Sequence, residues 1–191
     1  MVAEHHDALS PLRIVGAHTD SPNLRIKPQP DVSTLGVAQL GVEVYGGALT
    51  NSWLDRDLGL AGRVVVRSGD GLQVRLVRDD RPLLRVPQLA IHLDAEFRSS
   101  GLNLNRQRHM VPMWGLGEAP AFREYLADQL SVGADDVVSW DMMAHDLSPA
   151  RLAGLDDAFL VSSRLDNQLS CFVATRSLLE VADGPGDAIP V

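Results

Sequence analysis

Cysteine is almost missing. The 191 residues contain one, Cys171. A single thiol allows no intramolecular disulfide, which suits a reducing compartment. It also excludes a zinc site built from several cysteines, so any metal must be held by His, Asp and Glu. Positive charge is scarce as well: 17 Lys and Arg stand against 25 Asp and Glu, a formal net charge of −8. That balance argues against nucleic-acid binding, which needs a basic face, and gives no polybasic patch for a membrane surface. No apolar run approaches the ~20 residues of a membrane span. The N-terminal "MVAEHHDALSP" is polar and acidic, unlike a signal peptide, so the expected location is cytoplasmic. There is no G-x-S-x-G, no Walker A and no G-x-G-x-x-G after a strand, which removes the usual serine-hydrolase, P-loop and dinucleotide readings. Internal repeats and low-complexity segments are lacking too.

What is present is ordinary for a globular protein: 45% hydrophobic and 22% charged residues. This length supports one domain, or two small ones, with a real core. Leu12–Ala17 reads as a short buried strand of parallel type, ended by Ser21-Pro22. From Arg25 to Pro87 the pattern is β-rich. Ser68-Gly69-Asp70-Gly71 predicts a hairpin between Val64–Arg67 and Leu72–Val77, the second arm alternating as a half-buried strand. "QLAIHL" opens a short helix or a turn. Pro120–Val132 predicts a helix with Phe122, Tyr125, Leu126 and Leu130 on one face. "VVSWDMMAHD" and Ala158–Ser163 predict strands. "RLDNQLSCFVATRSLLEVADG" predicts a helix stopped by Gly184. This order predicts an α/β fold interrupted by an inserted β-rich domain: 1–24 and 155–191 as two segments of an α/β domain, 25–154 as the insert.

Candidate chemistry centres on two stretches. In "IVGAHTDSP", His18 and Asp20 fall at the carboxyl end of the first strand, where open α/β sheets place ligands. Residues i and i+2 of a strand share a side, and a metal-bound His commonly gives its other ring N–H to a carboxylate or carbonyl. The plain alternative is a polar strand end satisfied by turn backbone. In "SSRLDNQLS", Asp166 and Asn167 stand between strand and helix, as an N-cap or as a carboxylate bridging two metals. Asp55, Arg56 and Asp57 read as ligands, as an acid/base pair, or more simply as ion pairs shaping a turn. His92, among apolar residues, reads more readily as a core or interface residue than as a ligand. His109 and His145 have no partner at a telling spacing, and Cys171 sits on an apolar helical face as a structural thiol.

Together "GAHTDSPNLRIKP", "GVEVYGGALTNSWLDRDLGLAGRV", "RPLLRVPQLAIHL" and "RLDNQLSCF" resemble the M18 family of metallo-aminopeptidases, the aspartyl aminopeptidases. The four stretches occur in the family's order. The resemblance implies a two-metal, usually di-zinc, exopeptidase whose doubly wound catalytic α/β domain is interrupted by a β-rich dimerisation domain. It implies that His18 ligates metal, Asp20 orients that ligand, and Asp166 bridges two zinc ions. It also implies that His92 reaches the active site of a neighbouring subunit. Its implied partners are peptide substrates with an acidic N-terminal residue, and further copies of itself in dimers and dodecamers. Family members run to more than twice this length and carry an adjacent Glu pair, a further Asp ligand and a C-terminal His ligand. This sequence has no Glu-Glu pair. The expectation is therefore a fragment of a zinc aminopeptidase, inactive alone. A non-catalytic oligomerisation module from the same family is the alternative, and a di-zinc peptidase of another family is the third reading.

Overall fold

The computed structural model describes residues 14–69, 71–94 and 97–182. The chain divides into two compact units, Met1–Ser21 with Ala150–Val191, and Pro22–Pro149.

The Pro22–Pro149 unit is built on a six-stranded antiparallel sheet. Its strands are β1 (Asn23–Thr34), β2 (Val37–Tyr45), β3 (Leu58–Ser68), β4 (Gly71–Leu84), β5 (Met113–Leu116) and β6 (Val137–Asp146), in the order β4-β3-β6-β1-β2-β5. The β3–β4 hairpin closes with Ser68 opposite Gly71, the tight connection that the Ser-Gly-Asp-Gly stretch predicts. Gly69 supplies the positive φ (55°) such a connection needs. The inward positions of successive strands form one core: Leu24, Leu40, Leu58, Leu60, Val64, Val66, Val137 and Met142 are all essentially inaccessible.

A one-turn helix, α1 (Phe97–Ser100), precedes β5, and α2 (Phe122–Leu130) follows it. The predicted stripe explains how α2 docks: Phe122, Tyr125 and Leu126 are buried, and the helix lies against β4 and β6. Its aromatics join two tryptophans, with Tyr125 edge-on to Trp114 at 5.1 Å and Phe122 edge-on to Trp140 at 5.4 Å. Such pairs add to area burial by about 1 kcal/mol each. The residue before the helix is Ala121, which has no side-chain acceptor. The first turn is completed instead by Asp31 of β1, whose carboxylate accepts the Phe122 N–H at 2.8 Å, and by Glu124, which accepts the Ala121 N–H at 3.1 Å.

The alternation predicted for the second arm is there on β4, with the row of Leu72, Val74 and Leu76 facing outward. Leu72, Val74 and Leu76 are 62, 64 and 82% exposed, while Val77 and Asp79 are buried. The reason is a polar tie. Asp79 accepts hydrogen bonds from the Arg81 guanidinium (2.6 Å) and main-chain N–H (3.0 Å) and from the Tyr125 hydroxyl (2.8 Å). That network anchors Asp79 beneath α2 and turns the apolar row outward. The Arg81 bonds hold the Asp79 carboxyl well below the usual carboxylate range. A depressed folded pKa stabilises the fold fully above the unfolded value of about 3.9, and that contribution is lost as pH falls towards the folded value. Denaturant titrations of the chain are expected to show stability falling below about pH 4. Asp79→Asn is expected to lose that part of the slope, and an unchanged acid limb in the variant would contradict this assignment.

In the other unit the described residues form the hairpin β7 (Arg151–Ala153) and β8 (Phe159–Val161) and the long helix α3 (Leu165–Ala182). The predicted helix and the strand leading into it are both there, and Gly184 lies outside the described residues. Of the strand predicted over Leu12–Ala17, residues 12 and 13 lie outside the described residues, and residues 14–20 have no regular secondary structure, with Ile14 87% and Val15 57% exposed. A parallel strand needs flanking strands to take its backbone groups, and among the described residues nothing pairs with this one. This unit supplies none of the buried hydrophobic side chains among the described residues. Phe159, Leu160, Leu169, Phe172 and Val173 are each more than half exposed. No helix of the described residues is long and apolar enough to cross a membrane.

Candidate metal centre

The loop of residues 14–21 and the start of α3 bring two of the sequence-derived candidates face to face. His18 Nε2 lies 3.6 Å from Asp166 Oδ1. Each side chain is open to solvent on its other sides, 52% and 91% exposed. Arg164 takes a left-handed backbone (φ 63°), which turns the chain out of β8. Asp166 and Asn167 then keep non-helical dihedrals, and the peptide bond between them is cis. Asp166 accepts no hydrogen bond from the first turn of α3 among the described residues, so the N-cap reading of its carboxylate is not the arrangement here. The first-turn bond is main-chain, Gln168 N–H to Arg164 carbonyl at 3.2 Å.

The other ring nitrogen of His18 is held locally. Nδ1 lies 2.9 Å from the main-chain carbonyl of Asp20 and 3.5 Å from that residue's Oδ1. Donation from Nδ1–H to the carbonyl fixes the tautomer and leaves the Nε2 lone pair facing Asp166, the orientation a metal-ligating imidazole takes. The acceptor is thus the backbone of Asp20, with its carboxylate alongside.

Two ligands at about 2.1 Å from one zinc, at near-tetrahedral angles, lie about 3.4–3.6 Å apart. The His18–Asp166 separation fits that, and neutral imidazole with carboxylate is a donor set suited to zinc. Asn167 Oδ1, next in the chain, is buried and accepts no hydrogen bond. Among the described residues no three His, Cys, Asp or Glu side chains gather into a metal-holding group. His18 and Asp166 therefore fit two ligand positions, below the three protein ligands of a catalytic zinc site.

The other candidates with described positions belong to the Pro22–Pro149 unit. His92 sits in an exposed turn at 91–93 of the Pro22–Pro149 unit, with no partner among the described residues. Asp55, Arg56 and Asp57 are engaged in ion pairs. Arg85 meets Asp57 at 2.6 Å and Asp55 at 3.7 Å, and Arg56 pairs with Asp146. With Leu147 and Ser148 they line an open hollow of about 480 Å³. His145 meets Asp80 at 2.9 Å, and His109 Nδ1 accepts the Asn105 N–H at 3.1 Å. His5 and His6 lie outside the described residues.

Gln168, which sequence reasoning passed over, and Cys171, read from the sequence only as a structural thiol, touch the ligand loop. Gln168 Nε2 donates to the Thr19 carbonyl at 2.9 Å, and Cys171 Sγ donates to the His18 carbonyl at 3.2 Å. Their spacing of three puts them on one helix face, a signal visible in the sequence, but nothing in the sequence says that the face meets residues 18 and 19. Cys171 is accordingly half-buried and hydrogen-bonded, where an inert buried thiol was expected.

A family model described as aminopeptidase I zinc metalloprotease (M18) matches residues 1–190. A Streptomyces coelicolor protein named as a probable M18 family aminopeptidase is 49% identical over 195 residues, covering 100% of this chain and 44% of that protein. A Mycobacterium leprae protein of the same name is 52% identical, covering 96% of this chain and 43% of its own length. The chain thus spans less than half the length of these curated relatives. Among solved structures, a complex of Ape4 with Nbr1 aligns with TM-score 0.78 at 37% identity, over 88% of this chain and 36% of that one. Chaetomium thermophilum mApe1 aligns with TM-score 0.78 at 31% identity, over 90% of this chain and 42% of that one. A Thermotoga maritima M18 aminopeptidase shares the fold, with TM-score 0.72 at 21% identity, over 86% of this chain and 39% of that one.

Proposed function

The chain belongs to the M18 family of aminopeptidase I zinc metalloproteases, and on that premise we propose that it carries one wall of a two-zinc aminopeptidase centre that removes N-terminal, preferably acidic, residues from peptides. The observation that carries this reading is the 3.6 Å approach of His18 Nε2 to Asp166 Oδ1. His18, through Nε2, and Asp166, through its carboxylate, are the residues that would hold zinc here. Asp20 keeps the His18 ring in place through its carbonyl, with the carboxylate 3.5 Å from Nδ1 adding negative charge behind the ligand. Zinc, when bound, supplies Lewis acidity towards a scissile carbonyl and makes water acidic enough to attack at neutral pH. His92, exposed on its turn, is the group offered to the site of a neighbouring copy.

With two protein ligands among the described residues, the chain by itself is expected to bind zinc weakly and to turn over no substrate. Zinc titration by calorimetry is expected to show weak binding that His18→Ala and Asp166→Ala each abolish. Binding unchanged in both variants would refute the centre. Hydrolysis of an aspartyl chromogenic substrate by the chain itself would refute its inactivity. A second reading, a non-catalytic oligomerisation module, rests on the well-packed core of the Pro22–Pro149 unit. Light scattering that finds a stable dimer without zinc affinity would favour it.

A further inference from the structure

The loop that carries His18 has no regular secondary structure, so something else must hold its ring opposite Asp166. Two side chains of α3 grip it. Gln168 donates to the Thr19 carbonyl and Cys171 to the His18 carbonyl, at 2.9 and 3.2 Å. Both side chains leave the helix within about a turn and a half of Asp166. The same segment therefore presents one ligand and clamps the backbone of the other. We propose that Gln168 and Cys171 are positioning residues, fixing the reach and tautomer of His18 relative to Asp166 by holding the main-chain carbonyls of residues 18 and 19.

The arrangement has a physical logic. Two backbone carbonyls on consecutive residues point toward one helix face, and each finds a donor there. With both engaged, the loop cannot roll about its own axis without breaking two hydrogen bonds. The His18 ring then has one setting in which Nδ1–H still meets the Asp20 carbonyl. A metal arriving between His18 and Asp166 finds its ligands already placed, so little affinity is spent on ordering the loop. The glutamine amide is the stronger clamp, and the thiol the weaker, since S–H is a poor donor.

This inference rests on His18 and Asp166 as ligands only for its effect on metal affinity. Its effect on the loop can be read without metal. The test uses the 191-residue chain with ¹⁵N-labelled histidine and follows the His18 ring nitrogens in the neutral imidazole. Wild type and Cys171→Ser, which keeps an O–H donor, are expected to show one Nδ1–H tautomer. The double variant Gln168→Glu with Cys171→Ala, which removes both donors, is expected to show averaged ring-nitrogen shifts with α3 helicity unchanged by circular dichroism. Unaltered His18 shifts in the double variant would overturn the inference. A parallel titration with Co²⁺ is expected to show about a tenfold loss of affinity in the double variant and wild-type affinity in the Cys171→Ser variant. Co²⁺ binding that survives His18→Ala would refute the metal centre, while the nitrogen shifts would still decide for or against the clamp.

Discussion

Amide hydrogen exchange on this chain is expected to split sharply in two, with α3 exchanging about a thousandfold faster than β3 and β6. That ratio follows from a well-cored unit worth about 5 kcal/mol set against a helix that retains almost none of that protection. The cause is the distribution of apolar burial. Every hydrophobic side chain that is buried among the described residues belongs to the Pro22–Pro149 unit. The 18 residues of α3 expose Leu169, Phe172 and Val173 instead. A helix with its apolar side chains in water keeps only its intrinsic propensity, and isolated helices of this size are marginal. Hydrophobic area left exposed returns none of the roughly 25 cal/mol per Å² that burial contributes. Mass-spectrometric exchange resolves peptides from the two units separately. Equal protection of α3 and β3 would contradict this division of stability.

Gly62→Ala is expected to destabilise the Pro22–Pro149 unit by about 3 kcal/mol or more. Gly62 lies mid-strand in β3, opposite Met142 of β6. A Cβ there would overlap the Asp141 carbonyl oxygen and come within 2.8 Å of the Met142 Cα. Both are main-chain atoms of a paired strand, so neither can move aside as a side-chain tip would. Relief requires the β3–β6 ladder to part at the centre of the sheet. Gly47→Ala is the control, since a Cβ at that position meets nothing within 4 Å. Urea denaturation of the two variants should separate them clearly, and a Gly62→Ala chain as stable as the control would show that the ladder yields easily.

The sequence was most informative where contacts are local. The β3–β4 turn was legible because Gly at 69 and 71 flank an Asp between alternating strands. Helix α2 was legible because Pro120 and the spacing of Phe122, Tyr125 and Leu126 specify both its start and its buried side. The face of β4 was not. Leu72, Val74 and Leu76 alternate well enough to be a core row, yet the decision belongs to Asp79, whose partner Tyr125 lies on a helix 46 positions away. The strand predicted before His18 has no regular structure over residues 14–20 for a related reason: a parallel strand exists only beside neighbours, and its own residues do not say whether they are there.

The candidate site divides the same way. His18, Asp20 and Asp166 could be picked out as residue types suited to metal, and the family resemblance gave each a role. Their spacing along the chain could not show that Nε2 and Oδ1 meet at 3.6 Å. Nor could it show that the Asp20 backbone, rather than its carboxylate, makes the close bond to the ring. Gln168 and Cys171 were invisible as a clamp because a hydrogen bond to a main-chain carbonyl depends on the path of the other segment and on no feature of its side chains.

The start of α2 bears on the order in which this chain assembles. Its first amide is closed by Asp31, 91 positions earlier, because Ala121 offers no acceptor of its own. The helix therefore cannot reach its final length by local nucleation: its first turn waits for β1. During synthesis β1 leaves the ribosome first, so the acceptor is already present when residues 121–130 emerge. A circularly permuted chain that delivered α2 before β1 would meet the opposite situation, a helix frayed at its start until the last strand arrived.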